Sequence, residues 1–147
     1  KDSNKDLSYL ESPEYSDMEL FLTVAKELGI EVEVIILPVN GKWNDYTGVS
    51  REMREETYKK IENIAKNHGA TVLNYGNREY DDYFLFDVMH VGVKGWMEVE
   101  KELYKFANET NWHTSFTIVD LVFLHGYFKH RNLLFCDRFF EYSRFHL

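Results

Sequence analysis

Cysteine and long apolar runs are almost absent from this sequence. Its 147 residues include one cysteine, Cys136, so the chain can form neither an internal disulfide nor a zinc site built from several cysteines. Apolar runs such as residues 34–37 and 121–124 are far shorter than the ~20 residues that span a bilayer. The sequence therefore predicts neither a disulfide-stabilised scaffold nor a membrane-spanning segment.

Positive charge is also in short supply. The 17 lysines and arginines are outnumbered by 25 acidic residues, which gives a formal net charge of -8. Because the basic residues are interspersed with acids, no clustered surface for phosphate groups is predicted, and nucleic acid is not an expected partner. Apolar residues are plentiful by contrast: 44% of the chain is hydrophobic and 16% is aromatic, enough for one core in one domain.

The first half of the chain predicts a helix followed by a buried strand. Ser12 and Pro13 are typical of a helix start, and Gly29 of a helix end, so we expect a helix over residues 13–28. The run "EVEVIILP", residues 31–38, becomes continuously aliphatic, which is typical of a parallel strand buried on both faces. The predicted inward face of the helix comprises Met18, Phe21, Leu22, Ala25 and Leu28.

A second strand and two further helices follow. Ser50 is expected to cap a long helix that ends at Gly69, residues 70–75 predict a short strand, and residues 94–107 predict a third helix. The segments 39–49 and 76–84 are expected to be loops. The predicted inward faces are Met53, Thr57, Ile61 and Ile64 or Ala65 in the long helix, and Trp96, Val99, Leu103 and Phe106 in the third.

This alternation of helices and strands predicts an α/β fold with a parallel sheet. Two strands are too few for a stable open sheet, so residues 1–108 are interpreted as the C-terminal portion of a doubly wound domain. Residues 109–147 are interpreted as an aromatic-rich tail: an extension, an interaction segment, or translation beyond a disrupted stop. Within it, a strand over 115–124 and a helix over 131–142 are considered.

Ligands of open α/β sheets bind at the carboxyl ends of the strands, which draws attention to the loop "LPVNGKW". Asn40 could donate a hydrogen bond to an oxyanion, and Trp43 could form the wall of a substrate pocket. The alternative is an ordinary turn, with Trp43 packed against the protein, because asparagine and glycine are common turn residues. Both interpretations of Asn40 and Trp43 stay open at this stage.

Asp87 and His90 have the spacing of a catalytic pair. Residues at i and i+3 of a helical turn lie roughly 5 to 6 Å apart, so the carboxylate could bond the imidazole Nδ1 proton and leave Nε2 as a base. The alternative is a structural pair or a cap. No other histidine or carboxylate has fitting helical spacing, so no metal site is predicted. The acids Glu79, Asp81 and Asp82 are expected to lie in a solvated loop.

Residues 8–106 resemble the DltD family, which acts in D-alanylation of teichoic acids in Gram-positive bacteria. The segments that carry the resemblance are "SYLESPEYSDMELFL", "ILPVNGKWNDYTGVSREM", "KKIENIAK" and "YDDYFLFDVMHVGVKGW". The resemblance implies a flavodoxin-like fold of the SGNH hydrolase type, in which Asp87 and His90 close a Ser-His-Asp triad for acyl transfer or thioester hydrolysis. Val93 stands where this family would have an aromatic residue, and the tail after Asn108 has no counterpart.

The resemblance further implies a location at the extracytoplasmic face of the cell membrane, with an anchor in an N-terminal segment absent from this sequence. The implied partners are a D-alanyl carrier protein, membrane components of the pathway and lipoteichoic acid, with no cofactor. A homo-oligomer is also expected, because an exposed sheet edge and an apolar tail favour self-association.

The nucleophile is missing from this sequence. None of its serines has the glycine-flanked context between strand and helix that SGNH enzymes place near the start of the domain. The chain would thus contribute only the aspartate and the histidine, and no meaningful turnover is expected from it alone. The alternative function is a non-catalytic binding or assembly module, in which the surface around Asn40, Trp43 and Tyr46 docks a carrier protein or a membrane partner.

Overall fold

The computed structural model describes residues 1–109 and 115–121. In chain order the elements are α1 (Glu14–Glu27), β1 (Glu31–Leu37), α2 (Gly41–Thr47), α3 (Arg51–Asn67), β2 (Thr71–Asn74), α4 (Val93–Glu109) and β3 (Ser115–Leu121), with a 3-10 turn at Gly76–Arg78 between β2 and α4. None of the helices in these ranges combines the length and the hydropathy needed to cross a bilayer.

The strands form a parallel sheet in the order β2-β1-β3. Val34 in the middle of β1 is aligned with Val72 of β2 on one side and with Ile118 of β3 on the other. The predicted α/β class and parallel pairing are confirmed. The strand considered over 115–124 is present as β3 over Ser115–Leu121, and its last three predicted residues lie outside the described part of the chain. The helix considered over 131–142 lies outside the described residues, and the boundary at residue 108 stays a prediction.

The core lies on both faces of β1, as its aliphatic run predicts. Val34 and Ile36 pack with α1 and α3, whereas Ile35 and Leu37 pack on the other face with Val99 of α4. Successive side chains of a strand point to opposite faces, so one aliphatic strand serves both layers of helices. This sandwich fixes the position of the loops that follow β1 and β2.

Two residues of the predicted inward faces are exposed. Leu28 is 68% exposed because it is the C-cap of α1, one residue before Gly29 turns the chain at a φ of +68°. Trp96 is 47% exposed because α4 makes its closest approach through Gly95 and Val99, four residues apart, and this rotates Trp96 outward. The predictions for Leu28 and Trp96 were therefore wrong.

Gly95 allows α4 to approach the loop before it. A Cβ atom at this position would lie 2.4 Å from the Phe84 carbonyl oxygen, a backbone atom that cannot move aside freely. We expect Gly95→Ala to lower the free energy of unfolding by about 1–3 kcal/mol, although alanine favours a helix interior by roughly 1 kcal/mol. Urea unfolding measures this, with the exposed Glu100→Ala of the same helix as the control. Stabilisation by Gly95→Ala would show that the approach is not tight.

The segment 39–49 was predicted to be a loop, but it contains α2. The helix begins where the Asn40 side chain accepts a hydrogen bond from the Trp43 backbone nitrogen at 2.9 Å, and it ends at Gly48, whose φ is +92°. Asparagine and glycine are typical of helix caps as well as of turns, so the same residues allow both structures. Ser50 then caps α3 as predicted, accepting from the Met53 nitrogen at 3.1 Å.

Candidate active site

The turn that carries Asp87 and His90 lies between β2 and α4 and is closed at its base. Leu85 and Val91 form an antiparallel bridge, and the Phe86 nitrogen donates to the His90 carbonyl oxygen at 2.7 Å. Below the bridge, Phe84 is fully buried, with its ring 5.4 Å from that of Tyr75. The turn is thus fixed to the core at its base while its tip faces solvent.

The Asp87 carboxylate organises the tip of this turn. Its Oδ1 accepts hydrogen bonds from the backbone nitrogens of Met89 and His90, both at 2.8 Å. Its Oδ2 lies 2.7 Å from Nδ1 of the His90 ring. When Nδ1 carries the proton, Nε2 is left with a free lone pair, which is the protonation state of a general base. The predicted contact between the two side chains is confirmed, and its catalytic role stays a prediction.

These hydrogen bonds hold the carboxylate in its ionised form. The backbone donors at Met89 and His90, followed by the His90 ring, lower the pKa of Asp87 to about 2. Because the pKa is lower in the folded chain, the ionised Asp87 carboxylate stabilises the fold fully above the ordinary pKa near 3.8. This stabilisation is lost as the pH falls through about 2. The carboxylate is therefore charged at any pH at which His90 could act as a base.

We expect Asp87 to remain ionised at pH 3, where a free aspartate is mostly protonated. Carboxyl carbon chemical shifts in an NMR titration measure this directly. His90→Ala should raise the pKa of Asp87 only in part, because the two backbone donors are the larger causes of its lowering and survive the substitution. An ordinary titration of Asp87 near 3.8 in the unsubstituted chain would contradict the hydrogen bonds described above.

The pair is accessible from solvent. The His90 side chain is 68% exposed and that of Asp87 is 41% exposed. Two aromatic residues of the same loop, Tyr83 and Phe86, are 82% and 83% exposed. A general base works best where water is excluded. The exposed pair and its exposed aromatic neighbours are therefore suited to contact with another protein surface, which would exclude water and carry the group that reacts.

The structure brings Asn40 to this pair. While its Oδ1 caps α2, its Nδ2 donates to the Asp87 carbonyl oxygen at 3.4 Å, which ties the loop after β1 to the turn that carries Asp87 and His90. Trp43 is 42% exposed, and its ring lies 5.9 Å from that of Tyr46. The substrate-binding roles predicted for Asn40 and Trp43 stay predictions. The capping role of Asn40 agrees with the alternative of a local structural function.

An ionic cluster built around the buried Arg54 was not predicted. Arg54 of α3 is only 1% exposed, and its Nε donates to both carboxylate oxygens of Glu79, at 2.9 and 3.0 Å. Its Nη1 donates to Asp45 at 3.0 Å. The Tyr58 hydroxyl donates to Glu79 at 2.8 Å, and Tyr80 accepts from Arg54 at 2.9 Å. We call these five residues the Arg54 cluster.

The Arg54 cluster joins the two loops of the candidate site. Asp45 belongs to α2 after β1, Glu79 follows β2, and the Gly41 nitrogen donates to the Glu79 carbonyl oxygen at 2.9 Å. Glu79 was predicted to lie in a solvated loop, but it is 7% exposed because Arg54 and Tyr58 satisfy its carboxylate. One signal was available: Arg54 lies at helical spacing from the buried Thr57, Tyr58 and Ile61.

The charges within the Arg54 cluster stabilise one another. Burial alone would lower the pKa of Arg54, but its hydrogen bond to Glu79, the charge of Glu79 and its hydrogen bond to Asp45 outweigh burial and raise the pKa above its ordinary value. Burial, followed by the charge of Glu79, raises the pKa of Tyr58. At neutral pH the cluster is thus a guanidinium held by carboxylates and neutral phenols, which fixes it in one arrangement.

Comparison with known proteins supports the resemblance of the sequence. The family model described as "DltD protein" matches residues 1–108. The protein DltD of Bacillus subtilis is 42% identical over 114 residues, which cover 76% of this chain and 29% of that protein. The Staphylococcus aureus DltD is 32% identical over 94 residues, which cover 64% of this chain and 24% of that protein. The DltD of Lacticaseibacillus rhamnosus is 33% identical over 111 residues, which cover 75% of this chain and 26% of that protein. The chain spans less than a third of each relative.

Proposed function

Because the chain belongs to the DltD family, we propose that it supplies the aspartate and histidine of a Ser-His-Asp site for acyl transfer in the D-alanylation of teichoic acids. The observation that carries this proposal is the 2.7 Å contact between Asp87 Oδ2 and His90 Nδ1, with Oδ1 occupied by two backbone donors. A carboxylate held in this way can orient one imidazole tautomer and stabilise its cation.

The proposed reaction begins with a serine that lies outside this sequence. His90 Nε2 accepts the proton of the serine hydroxyl as its oxygen attacks the carbonyl carbon of a D-alanyl ester or thioester. Asp87 holds the Nδ1 proton and stabilises the imidazolium. His90 then returns the proton to the departing alcohol or thiol, which leaves an acyl-serine. The acyl group passes to an acceptor hydroxyl of lipoteichoic acid or to water by the same steps in reverse order.

The position of the pair in the fold supports this role. Asp87 and His90 follow β2 at the carboxyl edge of the parallel sheet, where ligands of α/β sheets bind. We propose that the complete protein has a doubly wound, flavodoxin-like sheet of the SGNH hydrolase type, with its serine at the same edge. We further propose that it is anchored at the extracytoplasmic face of the membrane and receives its acyl group through a D-alanyl carrier protein.

A second candidate function is docking without catalysis. The exposed aromatic side chains of Tyr83 and Phe86 beside the pair, with Trp43 and Tyr46 on α2, form the kind of surface that binds another protein. In this case a carrier protein or a membrane component would bind around the turn, and Asp87 would serve only to hold its backbone. The two functions differ in whether the His90 ring is needed.

A chimera separates these functions. Residues 1–108 would replace the matching part of the Bacillus subtilis relative in cells that lack their own DltD. We expect the chimera to restore D-alanine esters on lipoteichoic acid and its His90→Ala variant to fail, whereas Met89→Ala, which keeps the backbone donor to Asp87, should succeed. Full ester content with the His90→Ala chimera would favour docking alone. Loss with both variants at normal protein levels would also contradict the catalytic assignment.

A further inference from the structure

A pocket of about 420 Å³ lies at the opposite end of the sheet from Asp87 and His90. It opens between the first residues of β1 and β2 and the last turns of α4. Its charged lining is predominantly acidic and consists of Glu31, Glu33, Glu102, Lys105 and Glu109. Four carboxyl groups and one ammonium group in a partly enclosed space favour a cationic ligand.

Glu33 makes this pocket more than an acidic surface. The residue is 4% exposed, and it points to the same face of β1 as Ile35, towards α4. Its Oε2 has no hydrogen-bond partner among the described residues, Lys105 included. A buried carboxyl oxygen without a donor is destabilising, so the described part of the fold does not account for the position of Oε2. A ligand that brings N–H donors would satisfy it.

The groups around Glu33 decide its charge. Burial raises the pKa of Glu33 to about 7. Repulsion from Glu102 adds to this effect, the charge of Lys105 opposes it, and repulsion from Glu109 makes a smaller addition. The carboxyl group is therefore partly protonated near neutral pH. A cation bound against Oε2 would favour the charged form.

We propose that this pocket, the Glu33 pocket, binds an organic cation through Glu33 Oε2, with a guanidinium or primary ammonium group as the donor. A metal ion fits less well, because no three histidine, cysteine or acidic side chains of the described chain lie close enough to share one. Phe106 lines the same pocket and offers an apolar wall to the stem of such a group. The proposal is independent of the catalytic role of Asp87 and His90.

The cation can come from two sources: a small free amine, or an arginine or lysine side chain of another polypeptide segment. The relatives are consistent with the second source, since about 71% or more of their length lies outside the part matched by this chain, as the covered shares of 29%, 26% and 24% show. Both sources present the same chemistry to Glu33, so separate probes are needed to distinguish them.

The test is an NMR titration of the 147-residue chain with three probes. Agmatine represents the free guanidinium, the peptide acetyl-Gly-Arg-Gly-amide represents a side chain, and the same peptide with citrulline has the shape without the charge. We expect shifts at Glu33 and Glu102 with agmatine, the arginine peptide or both, and none with citrulline. Binding of agmatine alone assigns a free amine, and tighter binding of the arginine peptide assigns a polypeptide segment. Binding of neither, or equal binding of citrulline, overturns the proposal.

Two substitutions in the pocket should change the affinity for the cationic probe in opposite directions. Glu33→Gln should weaken binding of the cationic probe at least tenfold, whereas Glu27→Gln, an exposed change of the same charge on α1, should not alter it. Lys105→Gln, at an exposed position of the pocket, should tighten binding about threefold or more by removing a like charge. The Lys105→Gln variant still tests the proposal if the Glu33→Gln variant does not fold. Unchanged affinity in Lys105→Gln, or in a folded Glu33→Gln, overturns the proposal.

The pH provides a further readout. Because Glu33 titrates at about 7 and a guanidinium stays charged throughout, binding should be several-fold weaker at pH 6 than at pH 8. The other charged groups that line the pocket are Glu31, Glu102, Lys105 and Glu109. Affinity that rises from pH 8 to pH 6 would contradict the role of Glu33.

Discussion

His90→Ala should lower the rate of active-site acylation about 10⁴-fold or more in a full-length DltD protein that carries this segment. The substitution removes the imidazole that is proposed to accept the serine proton, while the exposed ring contributes little to packing. Single-turnover acylation by a D-alanyl thioester measures the chemical step without product release. The melting temperature of the variant should stay close to that of the unsubstituted protein.

Asp87→Asn should cost a comparable factor for a different reason. An asparagine amide can donate to Nδ1, which would place the ring proton on Nε2 and leave the base in the wrong tautomer. Retention of more than about a tenth of the rate in either variant would contradict the assignment, because a loss of ~1.4 kcal/mol is too small for a triad member. A structural pair would instead lower the melting temperature and leave the activity of the folded fraction intact.

The second large effect is expected at Arg54. Arg54→Met should lower the free energy of unfolding by about 3–5 kcal/mol, because it leaves the buried Glu79 carboxylate without its cation. Arg51→Met is the matched control on the same helix: Arg51 pairs with Glu55 at 2.9 Å, but its side chain is 65% exposed. An exposed pair of this kind contributes roughly 0–1 kcal/mol. Denaturant unfolding of the two variants gives the comparison.

A double substitution tests whether the loss at Arg54 comes from the unpaired charge. Arg54→Met combined with Glu79→Gln removes both charges, so it should be less destabilising than the sum of the two single changes. The side-chain amide oxygen introduced by Glu79→Gln would still accept from the Tyr58 hydroxyl, which keeps one hydrogen bond of the cluster. Strict additivity, or equal effects of Arg54→Met and Arg51→Met, would show that the Arg54 cluster does not hold the two loops together.

Local patterns predicted much of the fold. The aliphatic run of β1 identified a strand buried on both faces, and Ser50 identified the start of α3. The contact between Asp87 and His90 was predictable because a three-residue spacing in a tight turn leaves little freedom for the two side chains. Each of these features depends on residues close together in the chain.

The wrong predictions concern segments whose local sequence is compatible with two structures, and residues whose burial depends on partners distant in the sequence. Asn40 and Gly41 are equally compatible with a turn and with the start of α2, so the helix was missed. Glu79 was expected in solvent because a cluster of acids in a loop is usually solvated, but its burial depends on Arg54, 25 residues earlier in the chain. Burial of a charge follows from the partner that tertiary structure brings to it, and sequence spacing does not contain that information.

Covalent labelling of the nucleophile tests most directly whether Asp87 and His90 form the catalytic pair of an acyl-transfer site. A fluorophosphonate reacts with a serine only when a neighbouring base activates it. In a full-length DltD protein carrying this segment, intact mass spectrometry should show one phosphonyl group on a serine outside residues 1–108. His90→Ala should abolish this labelling, and Asp87→Asn should slow it strongly, while both proteins remain folded. Labelling of the same serine at an unchanged rate in His90→Ala would contradict the catalytic assignment.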